Sequence, residues 1–158
     1  MTNLLSPVRA DPDADFDAIL ALIRRCFAHM EGRIDPPSSM HRLTAAAIRE
    51  QAAAGEVWQV MDGGAPIACV FLTPRPDCLY LGKLAVDSAW RGRGLARRLV
   101  ETAAARAREF GLPALELQTR IELVENRRTF AAMGFDRTGE TAHPGYDRPT
   151  SVTMRRAV

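Results

Sequence analysis

The sequence predicts an α/β protein built on one mixed sheet. Short apolar runs separated by a hairpin turn signal occupy residues 57–72, as in antiparallel strands. From residue 79 onward, apolar strand-like runs alternate with helical patterns, and this order is typical of a parallel βαβ unit. With 158 residues the chain is expected to form a single domain, residues 1–158, long enough to bury a substantial core.

Apolar periodicity and turn residues place the elements of the first half of the chain. Apolar residues recur at helical spacing after the start signal at 11–13, and Pro36-Pro37 interrupts that pattern because proline cannot lie inside a helix. Pro74 and Pro76 are expected to end a later strand. The expected elements are a strand over 4–9, helices over 16–27 and 43–53, and strands over 57–61 and 67–72.

The second half is expected to alternate between strands and helices. A long strand over 79–86 leads into the turn 91–96, and the helix after Gly94 keeps one apolar face until Gly111 stops it. The remaining expected elements are a strand over 114–119, a short helix over 125–133, and strands over 135–139 and 151–156.

Composition argues against several classes of protein. A net charge of +2 is too small to indicate a nucleic-acid binder, and no stretch approaches the ~20 apolar residues of a membrane span. The first residues lack the pattern of a signal peptide. The three cysteines and three scattered histidines have no metal-ligand spacing. We therefore expect a reduced, cytoplasmic protein with no metal, no nucleic acid and no membrane among its partners.

The turn at 91–96 predicts a site for a phosphorylated cofactor. Gly92 and Gly94 at a helix start let backbone N–H groups close around an anion, and the positive end of the helix dipole points to the same place. Four arginines add positive charge with no acidic residue among them, at positions 91, 93, 97 and 98. The alternative is a helix N-terminus with a solvated basic face and no ligand.

This stretch and a later one together resemble the GNAT superfamily of acetyl-CoA-dependent N-acetyltransferases. The family's pyrophosphate motif, Gln/Arg-x-x-Gly-x-Gly/Ala, is matched by residues 91–96, and the preceding Leu84-Ala85-Val86-Asp87 also fits. A second block, from Glu125-Asn126 through Phe130 to Gly134-Phe135, is similar to the family's closing helix and strand. The resemblance implies a mostly antiparallel sheet with a splayed parallel pair of central strands, 79–86 and 114–119, and helices on both faces.

The resemblance also implies how acetyl-CoA would bind. Backbone amides would hold the diphosphate, from Arg91, Gly92, Arg93, Gly94, Leu95 and Ala96. The pantetheine arm would pair with the strand backbone at Leu84, Ala85 and Val86, where a main-chain N–H would also bind the thioester carbonyl. Asn126 would bind the pantetheine amide beside Phe130, or it would instead cap the short helix.

The residues that move protons are less determined. Tyr80 stands where some relatives carry a glutamate base, and it would orient the amine or only expose its hydroxyl. Glu122, just past a strand end, is a second base candidate, and Glu116 is a third if its face lines the cleft. At the position of Phe130, many relatives carry a tyrosine that acts as the general acid. In this chain, solvent or Tyr146 would have to protonate the leaving thiolate.

The acceptor is expected to meet the loop between the first two helices. Residues that would recognise a cationic or polar amine are Asp35, Ser38, Ser39, His41 and Tyr146, although the loop would equally serve as a proline-stiffened surface segment.

The expected reaction transfers an acetyl group from acetyl-CoA to the primary amine of a small molecule by direct attack on the thioester. The alternative is a CoA-binding sensor without transferase activity. A dinucleotide enzyme is disfavoured because Arg97 replaces the third glycine of GxGxxG. Because many members of the family dimerise, a homodimer is left open.

Overall fold

The chain folds around one seven-stranded sheet with helices on both of its faces. The computed structural model describes residues 5–30 and 32–158, without the side chains of Ser39 and Met40. The helices are α1 (Phe16–Phe27), α2 (Ala45–Ala54), α3 (Leu95–Phe110) and α4 (Val124–Ala132), with short 3-10 turns at Ala28–Met30, Ser39–Arg42 and Ser88–Trp90. The strands are β1 (Val8–Arg9), β2 (Glu56–Asp62), β3 (Ala65–Arg75), β4 (Cys78–Val86), β5 (Ala114–Arg120), β6 (Asp136–Thr141) and β7 (Ser151–Ala157).

The strand order across the sheet is β1-β2-β3-β4-β5-β7-β6. Every neighbouring pair is antiparallel except β4 and β5, which are parallel and are joined through α3 as a βαβ unit. The predicted fold class, a mixed and mostly antiparallel sheet with one parallel central pair, is therefore confirmed.

Alternating side chains of the central strands feed two separate cores. Along β3, Ala68, Val70 and Leu72 belong to the core under α3, whereas Cys69 and Phe71 belong to the core under α1 and α2. Because successive side chains of a strand point to opposite faces, a strand covered on both sides reads as a continuous apolar run. This explains why β3 shows no polar alternation in the sequence.

Element boundaries differ from the expectations in ways that the local chemistry explains. The cap of α1 is Asp15, whose carboxylate accepts a hydrogen bond from Ala18 N at 3.0 Å, so the helix starts after the signal at 11–13. The prediction that Pro74 ends β3 was wrong, because the strand continues to Arg75 and Pro74 pairs with Leu79. Part of the predicted strand 4–9 lies outside the described residues, and the rest is β1.

A bulge in β4 separates the parallel strands. Cys69 and Phe71 of β3 are two positions apart in the sequence, whereas the β4 residues that pair with them, Ala85 and Gly82, are three positions apart. Lys83 lies in this bulge with a φ of 50°, the only positive φ outside glycine in the described part of the chain. The β4–β5 pairing stops at Leu81 and Leu117, so the two strands diverge beyond that point.

Candidate active site

The divergence of β4 and β5 opens two cavities that meet at the bulge. The glycine-turn cavity, about 570 Å³, lies against the start of α3, and the strand-end cavity, about 490 Å³, lies against the ends of β3 and β5. Five residues line both of them, and these are Phe27, Met30, Leu84, Asn126 and Phe130. The two spaces therefore share one wall at the point where the sheet opens.

The backbone at the start of α3 forms one wall of the glycine-turn cavity. Gly92 has a φ of 77°, and Gly94, which caps the helix, has a φ of 79° and offers no side chain to the helix N–H groups. A Cβ at either position would meet no atom within 4 Å, so the requirement for glycine comes from the dihedral angle rather than from crowding. The first helical turn contains no acidic residue, so its N–H groups suit an anion.

The four arginines of the turn have different environments. Arg91 and Arg97 line the glycine-turn cavity. The guanidinium of Arg93 stacks 4.7 Å from the centre of the Trp90 ring, and Arg98 donates to the carbonyl of Leu5 at 3.4 Å. Arg93 is thus in the predicted motif, while its side chain lies outside the cavity lining.

The opposite wall of the glycine-turn cavity comes from α4. Asn126 is the third residue of this helix, whose cap is Leu123, so the interpretation of Asn126 as a cap was wrong. The Phe130 ring packs edge-on against Phe135 at 5.9 Å, which fixes it in the shared wall. The predicted strand residues Leu84, Ala85 and Val86 line the same cavity across from α4.

The strand-end cavity carries a set of titratable side chains from four strands or loops. They are Arg75 of β3, Tyr80 and Lys83 of β4, Arg120 of β5, and His143 of the loop before β7. No aspartate or glutamate of the described chain is among the residues that line this cavity. The described lining therefore combines basic side chains with groups that can donate, accept or move protons.

Tyr80 lies at the point where the parallel pairing ends. Burial is the main reason that its pKa is raised, and the Arg75 guanidinium, which stacks 3.8 Å from the ring centre, acts in the opposite direction. A phenol with a raised pKa stays protonated at neutral pH. Tyr80 is consequently suited to donate a hydrogen bond inside the cavity, and poorly suited to accept a proton as a base.

His143 has the properties of a base that sequence reasoning missed. Burial and the nearby Arg120 cation lower the pKa of its imidazole below the usual 6.5, so the ring is neutral at pH 7 although Glu122 acts in the opposite direction. Its Nδ1 lies 2.5 Å from Thr150 Oγ1, and that hydroxyl is oriented to donate to the Thr141 carbonyl at 3.4 Å. This assignment of protons puts the hydrogen on Nδ1 and leaves Nε2 as the accepting nitrogen.

Glu122 and Glu116, the acidic base candidates, lie outside the lining of both cavities. Glu122 Oε2 accepts a hydrogen bond from Asp35 N at 3.1 Å, and its buried Oε1 has no hydrogen-bond partner among the described atoms. Glu116 lies 3.4 Å from both Arg75 and Arg155. Glu116 is therefore occupied by two guanidinium groups, whereas Glu122 supports the loop through one of its two oxygens.

The loop between α1 and α2 is held against the strand ends by long-range contacts. Arg120 donates to the carbonyls of Pro36 at 2.6 Å and Pro37 at 3.0 Å. Asp35 accepts from the Tyr146 hydroxyl at 2.6 Å and pairs with Arg148 at 3.0 Å. These bonds are made by residues far apart in sequence, and they fix the loop as one border of the strand-end cavity.

The predicted acceptor residues are brought together only in part. Ser38 lines the strand-end cavity, while Asp35, His41 and Tyr146 do not. The side chain of Ser39 lies outside the described part of the structure. The Tyr146 hydroxyl donates a hydrogen bond to Asp35, and this contact supports the loop.

The cavity residues that sequence reasoning missed have no common pattern in the sequence. Arg75, Lys83, Arg120 and His143 come from different segments, and no spacing relates them. The one available hint was that His143 and Tyr146 both lie in the polar loop before the last strand.

Within residues 5–30 and 32–158, no group of three or more metal-ligating side chains is assembled, and no helix is long and apolar enough to cross a membrane.

Comparison with known proteins gives one family. The family model described as "Acetyltransferase (GNAT) family" matches residues 16–135. No curated protein matches the chain significantly.

Solved structures share the fold at low sequence identity. A GNAT-family acetyltransferase from Staphylococcus aureus Mu50 has a TM-score of 0.77 at 11% identity, over 97% of this chain and 98% of that chain. An IAA acetyltransferase from Bacillus cereus ATCC 14579 has a TM-score of 0.67 at 18% identity, over 98% and 99%. A chain of the NatC complex bound to Gag peptide and CoA has a TM-score of 0.67 at 21% identity, over 98% of each chain. With the family model covering most of its length, the chain belongs to the GNAT family of acetyltransferases.

Proposed function

We propose that the protein transfers an acetyl group from acetyl-CoA to the primary amine of a small molecule. The observation that carries the proposal is the meeting of two unlike cavities at Leu84, one beside the amides of a helix N-terminus and one lined with proton-moving groups. This division suits a reaction between a phosphorylated thioester and an amine. The cofactor enters from one side of the splayed strands and the acceptor from the other.

The glycine-turn cavity fits coenzyme A. The backbone amides of residues 91–96 and the positive end of the α3 dipole suit the diphosphate, and Arg91 and Arg97 add charge at the same place. The unpaired edge of β4 from Leu84 to Val86 suits the amide groups of the pantetheine arm. Asn126, which lines both cavities, is placed to hydrogen-bond the arm near its thioester end.

The attack forms the bond between the amine nitrogen and the thioester carbon, and it breaks the bond between that carbon and sulfur. A main-chain N–H at the bulge, near Leu84 or Ala85, would stabilise the negative charge that develops on the carbonyl oxygen. His143 Nε2, as the neutral base of the cavity wall, would take the proton that the amine loses. Tyr80, which stays protonated, would orient the amine by a hydrogen bond.

The leaving thiolate finds no phenol at position 130. Phe130 lines both cavities and cannot donate a proton, and the Tyr146 hydroxyl is committed to Asp35. A CoA thiol is a fair leaving group, so water entering through the open acceptor side would supply the proton. General acid catalysis by the protein is therefore left out of the proposed mechanism.

Acetyl-CoA binding and thiol release test the proposal together. The purified protein is titrated with acetyl-CoA by calorimetry, and thiol release is followed continuously with a panel of primary amines. Micromolar binding and amine-dependent release are expected. Binding without release for any amine would favour the CoA-sensor alternative, and absence of binding would overturn both.

A further inference from the structure

We propose that the protein uses acyl-CoA donors with propionyl and butyryl groups in addition to acetyl. This inference rests on the proposed acyl-transfer function and extends the class of its donors. The observation that carries it is an apolar passage between the two cavities, beside which Gly82 leaves the wall without a side chain.

The passage between the cavities is surrounded by apolar side chains. Four of the five residues that line both cavities are apolar, and the fifth is Asn126. Leu81 and Leu117 join them at the last paired position of β4 and β5, just before the strands diverge. We call this set the apolar collar, and its members are Phe27, Met30, Leu81, Leu84, Leu117 and Phe130. A chain of atoms that passes from one cavity to the other therefore meets apolar surface.

The collar lies where the acyl group of a bound donor is expected. With the pantetheine arm in the glycine-turn cavity, the thioester carbonyl would meet the main chain near Leu84 or Ala85. The sulfur and the acyl chain are attached on different sides of the carbonyl carbon, so an arm that enters from one cavity directs its acyl chain toward the other. The collar would then surround the first carbons of that chain, where each buried methylene is worth roughly four-fold in affinity.

Gly82 leaves additional room beside the collar. It follows Leu81 in β4 and pairs with Phe71 of β3, and its φ lies outside the left-handed region, so the backbone does not require glycine here. A Cβ at this position would lie 3.9 Å from Phe71 Cβ and 3.9 Å from Tyr80 Cε2, which are ordinary van der Waals distances. Phe71, Tyr80 and Gly82 all line the strand-end cavity. A side chain at position 82 would therefore be compatible with the strand but would take space from this cavity.

The rest of the strand-end cavity limits the length of the chain. Outside the collar its lining includes polar side chains such as Arg75, Tyr80 and His143. Apolar carbons placed against them would remove water without replacing its hydrogen bonds, and they would occupy the space proposed for the amine. The collar therefore suits acyl groups of three or four carbons, which add one or two methylenes to acetyl, and disfavours octanoyl.

A series of donors tests the inference without requiring turnover. In the absence of an amine, the protein is titrated by calorimetry with acetyl-, propionyl-, butyryl- and octanoyl-CoA. Propionyl-CoA is expected to bind about two- to four-fold tighter than acetyl-CoA, and butyryl-CoA about four- to sixteen-fold tighter. Affinities of propionyl- and butyryl-CoA that equal or fall below that of acetyl-CoA would overturn the inference. A further rise in affinity at octanoyl-CoA would overturn the length limit.

Substitutions at Gly82 locate the preference. Gly82→Val fills the opening and should abolish the preference for butyryl-CoA over acetyl-CoA, whereas Gly82→Ala should leave an intermediate preference. Acetyl-CoA affinity should stay within about two-fold, which shows that the fold is retained, and Gly82→Ala provides the comparison if valine prevents folding.

A glycine of another strand provides the matched control. Gly139 lies in β6, lines neither cavity, and would meet no atom within 4 Å through an added Cβ. Gly139→Val and Gly139→Ala should therefore keep the full preference for butyryl-CoA. An unchanged preference in both Gly82→Val and Gly82→Ala would overturn the assignment to this passage.

Thiol release separates this inference from the proposed function. The bonds formed and broken are those of acetyl transfer, and CoA leaves as the thiol in each case. With an amine that accepts acetyl groups, butyryl transfer at a comparable kcat/KM is expected, and tight binding of butyryl-CoA without transfer to that amine would overturn its role as a donor. Acetyl transfer without any preference for longer donors would remove the inference and retain the proposed function. A preference for longer donors without transfer to any amine would remove the function and retain the collar as an acyl-binding site.

Discussion

The two cavities differ in what builds them. The glycine-turn cavity takes its main features from one continuous segment, and its anion-binding groups are backbone amides around Gly92 and Gly94. The strand-end cavity takes its chemistry from side chains of β3, β4, β5 and the loop before β7. A backbone site is determined by a short motif, whereas a side-chain site is determined by the topology that assembles it. A family can therefore keep the first cavity constant while the second changes its substrate.

The largest effect is expected from a substitution that disrupts the glycine-turn cavity alone. Ala96 lies in the first turn of α3 and lines the glycine-turn cavity. Ala96→Glu introduces a carboxylate where the diphosphate is expected, and like charges at that distance should reduce acetyl-CoA affinity roughly 100-fold or more. Calorimetric titration measures the effect.

A matched variant separates charge at the site from charge on the helix. Ala105→Glu makes the same change on the exposed middle of α3 and should leave acetyl-CoA affinity within about two-fold. If Ala96→Glu bound acetyl-CoA as tightly as Ala105→Glu does, the diphosphate would have to bind elsewhere.

The second largest effect is expected from a substitution in the strand-end cavity that leaves the glycine-turn cavity intact. His143→Gln should lower kcat roughly 100-fold, the usual contribution of a general base, with acetyl-CoA affinity unchanged. In the unmodified protein, His143 should add an acidic limb to kcat/KM below about pH 6.5, separate from the limb set by protonation of the free amine, because burial and Arg120 lower the pKa of this imidazole. Both are read from pH profiles of thiol release. If this limb, rather than only that of the free amine, survives in His143→Gln, the base is another group.

A smaller effect is expected at Tyr80. Tyr80→Phe removes one orienting hydrogen bond, worth about 1 kcal/mol, so kcat/KM should fall roughly five-fold without a change in the acidic limb. The other tyrosine, Tyr146, lines neither cavity, and Tyr146→Phe should have the lesser effect on kcat/KM. The opposite ranking of the two variants in steady-state kinetics would contradict the orienting role.

The smallest effect is expected where the cavities join. Phe130→Tyr places a phenol in the shared wall, and kcat should stay within about two-fold if water already protonates the thiolate. The measurement is kcat at saturating amine across pH 6–9, beside the unmodified protein. A rise of roughly ten-fold or more would mean that thiolate protonation limits the native reaction.

The elements that sequence reasoning located correctly have local causes. Gly94 and Gly111 bound α3 because each adopts a left-handed conformation that glycine tolerates, and Thr44 caps α2 by accepting from Ala47 N at 3.1 Å. Such features depend on residues within one turn of each other. For the same reason the motif at 91–96 was recognisable in one dimension.

The features that sequence reasoning missed have distant causes. Arg120 and Pro36 are 84 positions apart, and Tyr146 and Asp35 are 111 apart, yet both pairs are hydrogen-bonded. Periodicity predicted that Glu116 alternates with its apolar neighbours, but it could not show that Arg75 and Arg155 would occupy its carboxylate. The proposed acceptor side of the site depends on pairings that only the folded sheet brings about.

The bulge residue has a consequence for chemical labelling. Lys83 is the only lysine of the chain, and it lies in the strand-end cavity beside the residue shared by both cavities. An amine-directed reagent consequently has one side-chain target, in addition to the α-amino group at the chain start. The extent of modification of Lys83, read as the mass increment of the peptide that contains it, would report whether the proposed acceptor position is covered.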